Sequence, residues 1–417
     1  MSAIGQPTVP GFRGPLAVRN FRLLWVGETV SMVGDQFYFV ALPWLVLQLT
    51  GSGLALGSVL MTAAIPCAAL MLVGGAATDR FSSRTVMLVS NVMRAMVVSI
   101  LTVLVFTDSA RMWHLYALAA AFGTFDAFFY PADIAMVPSM LEPEQMVAGN
   151  SLVQASVQLA SLIGPTAAGV VIGRAGVAAA FGVDAATFVV SIVMLALITT
   201  GHVAAAARQE PLLTSIRKGI SHALAHATIR SLLVAYAMMS LFLTGPFMVG
   251  APLLAKQRFG GVTALGVLYS SYGAGALVGT LIAGRDRDER RLGPLLVVLY
   301  AAAGLAMIAL GLLWRLWASA TVLVLLGIIV GYGNVQMLAY LQRQTETGKM
   351  GRVMSLITFC ADGLLPVSYL AAGAVSSMGT LVLFLASGVS VIVTTSMLFR
   401  APQFWRKETA ATGLPIA

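Results

Sequence analysis

The chain has 417 residues, of which 59% are hydrophobic and only 10% charged, and a formal net charge of +9. Soluble domains carry roughly 25% charged residues, so the composition excludes an ordinary water-soluble fold and points to a polytopic membrane protein. The positive charge does not call for a nucleic-acid partner, because the lysines and arginines gather on loops and tails, where such residues set membrane orientation.

The chain starts MSAIGQPTVPGFRGP, which is polar and rich in Pro and Gly and lacks the apolar core of a cleavable signal peptide. The first apolar helix is therefore expected to act as an uncleaved anchor. A helix needs about 20 apolar residues to cross a bilayer. Residues 22–49, 56–78, 85–107, 113–138, 150–173 and 178–200 meet this requirement, as do 229–255, 261–284, 293–313, 317–341, 353–377 and 379–399. The pattern predicts an all-α membrane protein with twelve transmembrane helices in two pseudo-symmetric six-helix bundles. The bundles would span 22–200 and 229–400, joined by a cytoplasmic linker at 201–228 and flanked by cytoplasmic tails at 1–21 and 401–417. With the N-terminus inside, 19 of the 25 Lys and Arg fall on the cytoplasmic side, five fall outside, and Arg94 lies within the third span. That asymmetry places both termini in the cytoplasm.

The two halves repeat. Leu56-Gly57, Gly75 and Asp79 recur 209 residues later as Leu265-Gly266, Gly284 and Asp288. Ser151-Leu152 and Gly169 recur 204 residues later as Ser355-Leu356 and Gly373. Internal duplication is the usual build of secondary transporters, with the substrate site near the midplane between repeats. Cys67 and Cys360 both lie in apolar stretches, which argues against a disulfide framework. His222 and His226 share a helical face in the linker, but no Cys or acid accompanies them, so neither a metal site nor a cofactor is expected. There is no P-loop pattern and no hydrolase or metalloprotease motif, so neither ATP-driven transport by this chain alone nor enzymatic activity is expected.

Six acids lie within apolar runs: Glu28, Asp35, Asp126, Asp133, Asp184 and Asp362. Arg94 is the only base so placed. A charge at the centre of a membrane helix costs roughly 3 kcal/mol on insertion scales, and such residues face a cavity or a proton path rather than lipid. Glu28 and Asp35 share one helical face at a spacing of seven, as do Asp126 and Asp133. Asp35 and Asp126, near mid-depth, are expected to lead proton coupling. Glu28 and Asp133, nearer the cytoplasmic face, are expected to gate or pair. Asp184 and Asp362 read as packing or hinge acids, and Arg94 as a counter-ion or a contact for an anionic substrate; the competing reading for Asp35 is a structural partner for Arg94 or for a helix terminus.

After the second span the chain reads Gly74-Gly75-Ala76-Ala77-Thr78-Asp79-Arg80-Phe81-Ser82-Ser83-Arg84. This resembles the loop motif G-x-x-x-D-R-x-G-R-[RK] of the major facilitator superfamily. Gly75, Asp79, Arg80 and Arg84 match, while Ser82 and Ser83 depart from it. The resemblance implies a conformational latch. Gly75 would admit a neighbouring helix, Asp79 would face a positive helix N-terminus, and Arg80 and Arg84 would stay at headgroups or pair with acids. Gly164-Pro165-Thr166-Ala167-Ala168-Gly169 is similar to that superfamily's antiporter motif G-P-x-x-G-G, with Ala168 replacing one glycine. That likeness implies export rather than import.

Gly34-Asp35, Leu49-Thr50-Gly51-Ser52, Pro131, Asn150-Ser151-Leu152, Leu341-Gln342 and Gly351-Arg352-Val353 together look like the macrolide-efflux and enterobactin-exporter branch. In that fold the first, fourth, seventh and tenth spans line a central cavity. Candidate substrate contacts are then Gln36, Tyr38, Phe125, Phe129, Tyr130, Phe247, Asn334, Gln336 and Tyr340. The resemblance implies a proton-coupled exporter of hydrophobic or amphipathic small molecules, working by alternating access as a monomer in a bacterial cytoplasmic membrane. The competing readings are an importer or facilitator of the same fold, and a non-transporting receptor or membrane-embedded enzyme. The last would be favoured by a metal-ligand cluster or a large soluble domain, and the sequence offers neither.

Overall fold

A computed structural model describes residues 13–199, 227–285, 292–344 and 363–399. Residues 1–12, 200–226 (with His222 and His226) and 400–417, together with Asp288, Ser355-Leu356, Cys360 and Asp362, lie outside these residues. A short helix α1 (Arg13–Ala17) precedes α2 (Arg19–Thr50), α3 (Gly53–Arg80), α4 (Ser83–Phe106), α5 (Met112–Met136), α6 (Pro143–Ala175) and α7 (Val177–Leu197). The second half opens with α8 (Ala227–Met239), which runs through a π turn (Ser240–Thr244) into α9 (Gly245–Gln257). It continues with α10 (Val262–Ala283), α11 (Leu292–Leu312), α12 (Leu316–Gln344), α13 (Leu365–Ser376) and α14 (Thr380–Phe399). Among the described residues there is no strand, and ten stretches are long and apolar enough to cross a membrane.

Long helices follow from the solvent: lipid offers no hydrogen-bond partners, so a spanning backbone must satisfy its own groups. Helix ends follow local chemistry. Gly51 closes α2 at φ 66°, its N–H donating to the Leu47 carbonyl, and the Ser52 hydroxyl accepts from the Ala55 N–H to start α3. At α6 the helix begins at Pro143, seven residues ahead of the apolar stretch predicted from 150. Proline's fixed φ suits a first helical turn whatever the hydropathy of its neighbours.

In the first bundle α2 packs on α6 and α7, α3 on α5, and α4 on α5 and α7. In the second, α10 packs on α12, α11 on α14, and α9 on α13. The bundles meet along two seams, α6 against α10 and α3 against α13. In each seam a glycine faces a glycine. A Cβ on Gly57 would lie 2.9 Å from the Cα of Gly373, and one on Gly169 would lie 3.3 Å from the Cα of Gly266. These four glycines are among those that recur between the halves, Gly57 as Gly266 and Gly169 as Gly373. The sequence duplication is thus expressed in space as two equivalent seams.

The stretch similar to the antiporter motif lies in one of them: the Thr166 N–H donates to the Ser270 hydroxyl of α10 at 3.0 Å. Lys256 Nζ at the end of α9 donates to the Leu47 carbonyl of α2, which ties the halves together at the end of the molecule away from α1. Gly53, at the same end, lies against Ser376 of α13.

Gly57→Leu and Gly266→Leu are each expected to force the halves apart at this end. In a background lacking Cys67 and Cys360, a thiol placed by Ser376→Cys should react with a maleimide several-fold faster after either change. Unaltered reactivity in both variants would show that the seams do not hold this end together.

Candidate functional site

The first bundle contains a polar cluster built from four helices. Arg94 of α4, 2% exposed, places Nη1 3.0 Å from Oδ1 of Asp126 on α5, an ion pair. Its Nη2 donates to Asn91 Oδ1 at 2.7 Å. Asn91 and Arg94 are three residues apart and so share a helical face. The Asn91 amide donates to Ser191 Oγ of α7 at 3.0 Å, and Ser191 donates to Glu28 Oε1 of α2 at 3.2 Å. The guanidinium also lies 4.1 Å from the Phe129 ring centre, 4.7 Å from that of Phe188 and 5.7 Å from that of Phe122. Aromatic faces attract a cation and here stand where water would otherwise solvate it.

The pair is asymmetric. Arg94 is closed in, whereas the Asp126 side chain is 41% exposed. Asp35 is half-buried, and its Oδ1 makes no hydrogen bond among the described residues. Next to it, Gly34 brings α2 directly onto Thr187 and Asp184 of α7; a Cβ there would lie 2.8 Å from Asp184 Oδ1. Asp184 is fully buried with neither carboxyl oxygen hydrogen-bonded among the described residues. The pairing of Arg94 with Asp35 that the sequence left open is not the one present, since the cation sits on Asp126. The Arg94 charge nonetheless acts on Glu28, Asp35, Asp133 and Asp184.

The second bundle contains a cavity of about 220 Å³. Its walls include the π turn at Ser240, Leu243 and Thr244, the rings of Tyr272 and Tyr300, and Asn334. A π turn inserts one extra residue and displaces backbone groups from their helical partners. Serines from two other helices supply the replacement. Ser368 of α13 accepts from the Gly245 N–H at 3.0 Å and donates to the Leu241 carbonyl at 2.6 Å, and Ser387 of α14 donates to the Phe242 carbonyl.

A model of the Major Facilitator Superfamily matches residues 24–367. The chain belongs to the Major Facilitator Superfamily. It is 29% identical over 278 residues to the multidrug efflux pump Tap of Mycolicibacterium fortuitum, covering 64% of this chain and 66% of that protein. It is 25% identical over 340 residues to the enterobactin exporter EntS of Escherichia coli O1:K1, covering 81% and 80%. Among solved structures, a mutant of the nucleoside transporter NupG superposes with a TM-score of 0.76 at 10% identity, covering 93% of this chain and all of that one. A bacterial homologue of the iron transporter ferroportin, in an inward-facing state, superposes with a TM-score of 0.71 at 16% identity, covering 92% and 99%. The two structures share the fold. As a superfamily member the chain is a multi-pass membrane transporter of small molecules rather than an enzyme.

The superfamily's loop motif is arranged differently from expectation. Gly75 meets nothing within 4 Å; the close approach is made by Gly74, one residue earlier, against Ala127 and Phe128 of α5. Among the described residues, Arg84 pairs with no acid. Its Nε and Nη2 donate to the carbonyls of Leu195 and Ala196 at 2.8 and 2.7 Å, completing the C-terminal end of α7, where a cation is favoured by the helix dipole. Arg80 is exposed, 5.9 Å from the Phe81 ring centre. The side chains of Asp79 and Tyr340 lie outside the described residues. Gly164 faces Gln36, whose Cγ would be 2.5 Å from an added Cβ, so Gln36 packs between α2 and α6.

The aromatic candidates divide. Tyr38, 4% exposed, stacks on Phe122 with ring centres 4.3 Å apart, and Phe247, 5% exposed, lies 5.5 Å from Tyr269 and 5.0 Å from Tyr272. Both are core residues of their bundles. Phe129 is taken up by Arg94, Phe125 is partly buried against the core, and Tyr130 is half exposed. Gln336 donates to the Tyr332 hydroxyl at 3.4 Å, and Asn334 lines the cavity. Sequence reasoning missed Asn91, Ser191, Ser240, Ser368 and Ser387. The signal available was small polar residues isolated in apolar spans, of which Asn91 also carried the helical spacing to Arg94.

Arg94→Met should destabilise the protein by about 2 kcal/mol, less than the 3–5 kcal/mol of a fully enclosed pair because Asp126 keeps an open side. Asp126→Asn, which still accepts from Arg94, should cost less. Denaturant unfolding in detergent measures both, and equal losses would show that the pair is not what orders the cluster.

Proposed function

We propose that this transporter exports hydrophobic or amphipathic small molecules in exchange for protons, by alternating access. The observation that carries the reading is the grouping of Glu28, Asp35, Asp126, Asp133 and Asp184 about a single guanidinium, with Asp126 open on one side. One guanidinium balances one carboxylate. In a low-dielectric site the remaining acids need another positive charge, and a bound proton is the smallest available. A proton arriving at Asp126 weakens its hold on Arg94 and frees that cation for Asp35 or Glu28. Asp35 and Asp126 therefore lead the coupling, and Glu28 and Asp133 extend the path. The membrane potential supplies about 2.3 kcal/mol per proton per 100 mV.

Export is supported by the stretch from Gly164 to Gly169 in the α6/α10 seam and by similarity to proteins named as an efflux pump and an exporter. The bundles are read as 22–200 and 229–400, with linker and termini in the cytoplasm of a bacterial cell. The protein is read as a monomer in the cytoplasmic membrane, where Gly75, Asp79, Arg80 and Arg84 mark the switching loop. Bulky cargo would pass between the halves, within reach of Gln36, Tyr130 and Asn334.

Proteoliposomes with an imposed pH gradient test the reading against a panel of macrolides, siderophores and small aromatic antibiotics. Inside-out protein should concentrate at least one compound in the lumen only when the lumen is acidic. Asp35→Asn and Asp126→Asn should abolish this while reconstituting in normal amount. Full gradient-driven transport in both variants removes the proton assignment, and movement in the opposite sense makes the protein an importer.

A further inference from the structure

The second-bundle cavity differs in chemistry from the acid cluster. Among the described residues, no charged side chain lines it. Its polar groups are hydroxyls and one carboxamide, on Ser240, Thr244, Tyr236, Tyr272, Tyr300 and Asn334, set among aliphatic side chains. The Tyr300 hydroxyl is 3.7 Å from the Met337 sulfur, a weak acceptor, and the Asn334 amide makes no hydrogen bond among the described residues. A carboxamide offers donors and an acceptor side by side, which suits an uncharged polar group. Burying a charge against such walls would leave it without a counter-ion.

Size narrows the class further. A cavity of about 150 Å³ holds benzene, so 220 Å³ accommodates one ring with its substituents. One wall is the π turn, a geometry frequent at functional sites, held in place by Ser368 and Ser387 from outside the cavity. We infer that this cavity binds a neutral, single-ring aromatic solute bearing a hydroxyl or carboxamide, and that compounds of this class are cargo. The inference rests on the transport reading for the second half of that statement only; the binding site stands by itself.

The test uses the full chain in lipid nanodiscs at neutral pH, with 4-hydroxybenzamide as the probe in equilibrium dialysis. The anion 4-hydroxybenzoate and the cation 4-hydroxybenzylamine have the same ring and nearly the same length. The amide should bind, and each charged analogue should bind at least tenfold more weakly. Asn334→Leu should weaken amide binding about tenfold, the worth of one lost hydrogen bond, and Val330→Phe, which fills the cavity, should abolish it. No binding at millimolar probe, equal binding of either charged analogue, or full binding in both variants overturns the site. Comparing analogues on the unmodified protein keeps the test decisive even where a variant misfolds. Counterflow of labelled 4-hydroxybenzamide, which needs no pH gradient, then reads carriage alone. Binding without counterflow overturns the cargo assignment, while the behaviour of Asp35→Asn and Asp126→Asn under a gradient is judged separately.

Discussion

Apolar helices in lipid gain nothing by hiding leucines from water, so their association depends on how closely the backbones approach. The two halves of this protein are joined on that basis. Gly57 against Gly373 and Gly169 against Gly266 let α3 touch α13 and α6 touch α10 with no side chain between them. Because the four positions are two repeats of two, the seams are alike, and a displacement that suits one suits the other. The Lys256 contact to the Leu47 carbonyl adds a polar tie at the same end. The polar cluster and the cavity both sit inside a bundle rather than across a seam, so their positions are set by packing within each half.

The same solvent that makes close packing necessary makes an unpartnered polar group expensive. Arg94 meets that constraint at both Nη atoms, with Asp126 and Asn91, and over three phenylalanine rings, while its Nε has no hydrogen-bond partner among the described residues. The π turn meets it with serines from α13 and α14. Asp35 and Asp184 do not meet it within the described residues, and Asp126 meets it on one side only. The duplicated architecture has thus diverged in chemistry. The first bundle concentrates ionisable groups around one cation, and the second holds a cavity bordered, among the described residues, by tyrosines, an asparagine and aliphatic side chains.

Several particulars are legible in the amino-acid order itself. The spans at 85–107 and 178–200 agree with α4 and α7 to within about three residues, because twenty-odd apolar residues bounded by polar ones have few other solutions in lipid. The recurrence of Gly57 as Gly266 and of Gly169 as Gly373 is legible too, although its meaning as two seams is not. Other features mislead. Tyr38 and Phe247 are expected to face a cavity but are packed inside, since a span that is apolar all round carries no mark of which side is lumen. Gly75 and Gly74 are equally permissive in sequence, and only the path of α5 makes the second one the contact.

The sequence alone determined that this chain crosses a membrane many times, that its two halves are copies, and that acids and one arginine lie deep in the first. Those facts follow from composition and spacing, which lipid translates almost directly into helices. Only the tertiary structure decided that Arg94 takes Asp126 rather than Asp35, that Arg84 completes α7, and that a π turn opens an uncharged cavity in the second half. Each of these depends on which helix stands beside which at a given depth. Groups between 32 and 145 residues apart set the outcome through contact distance, and no local pattern encodes contact distance.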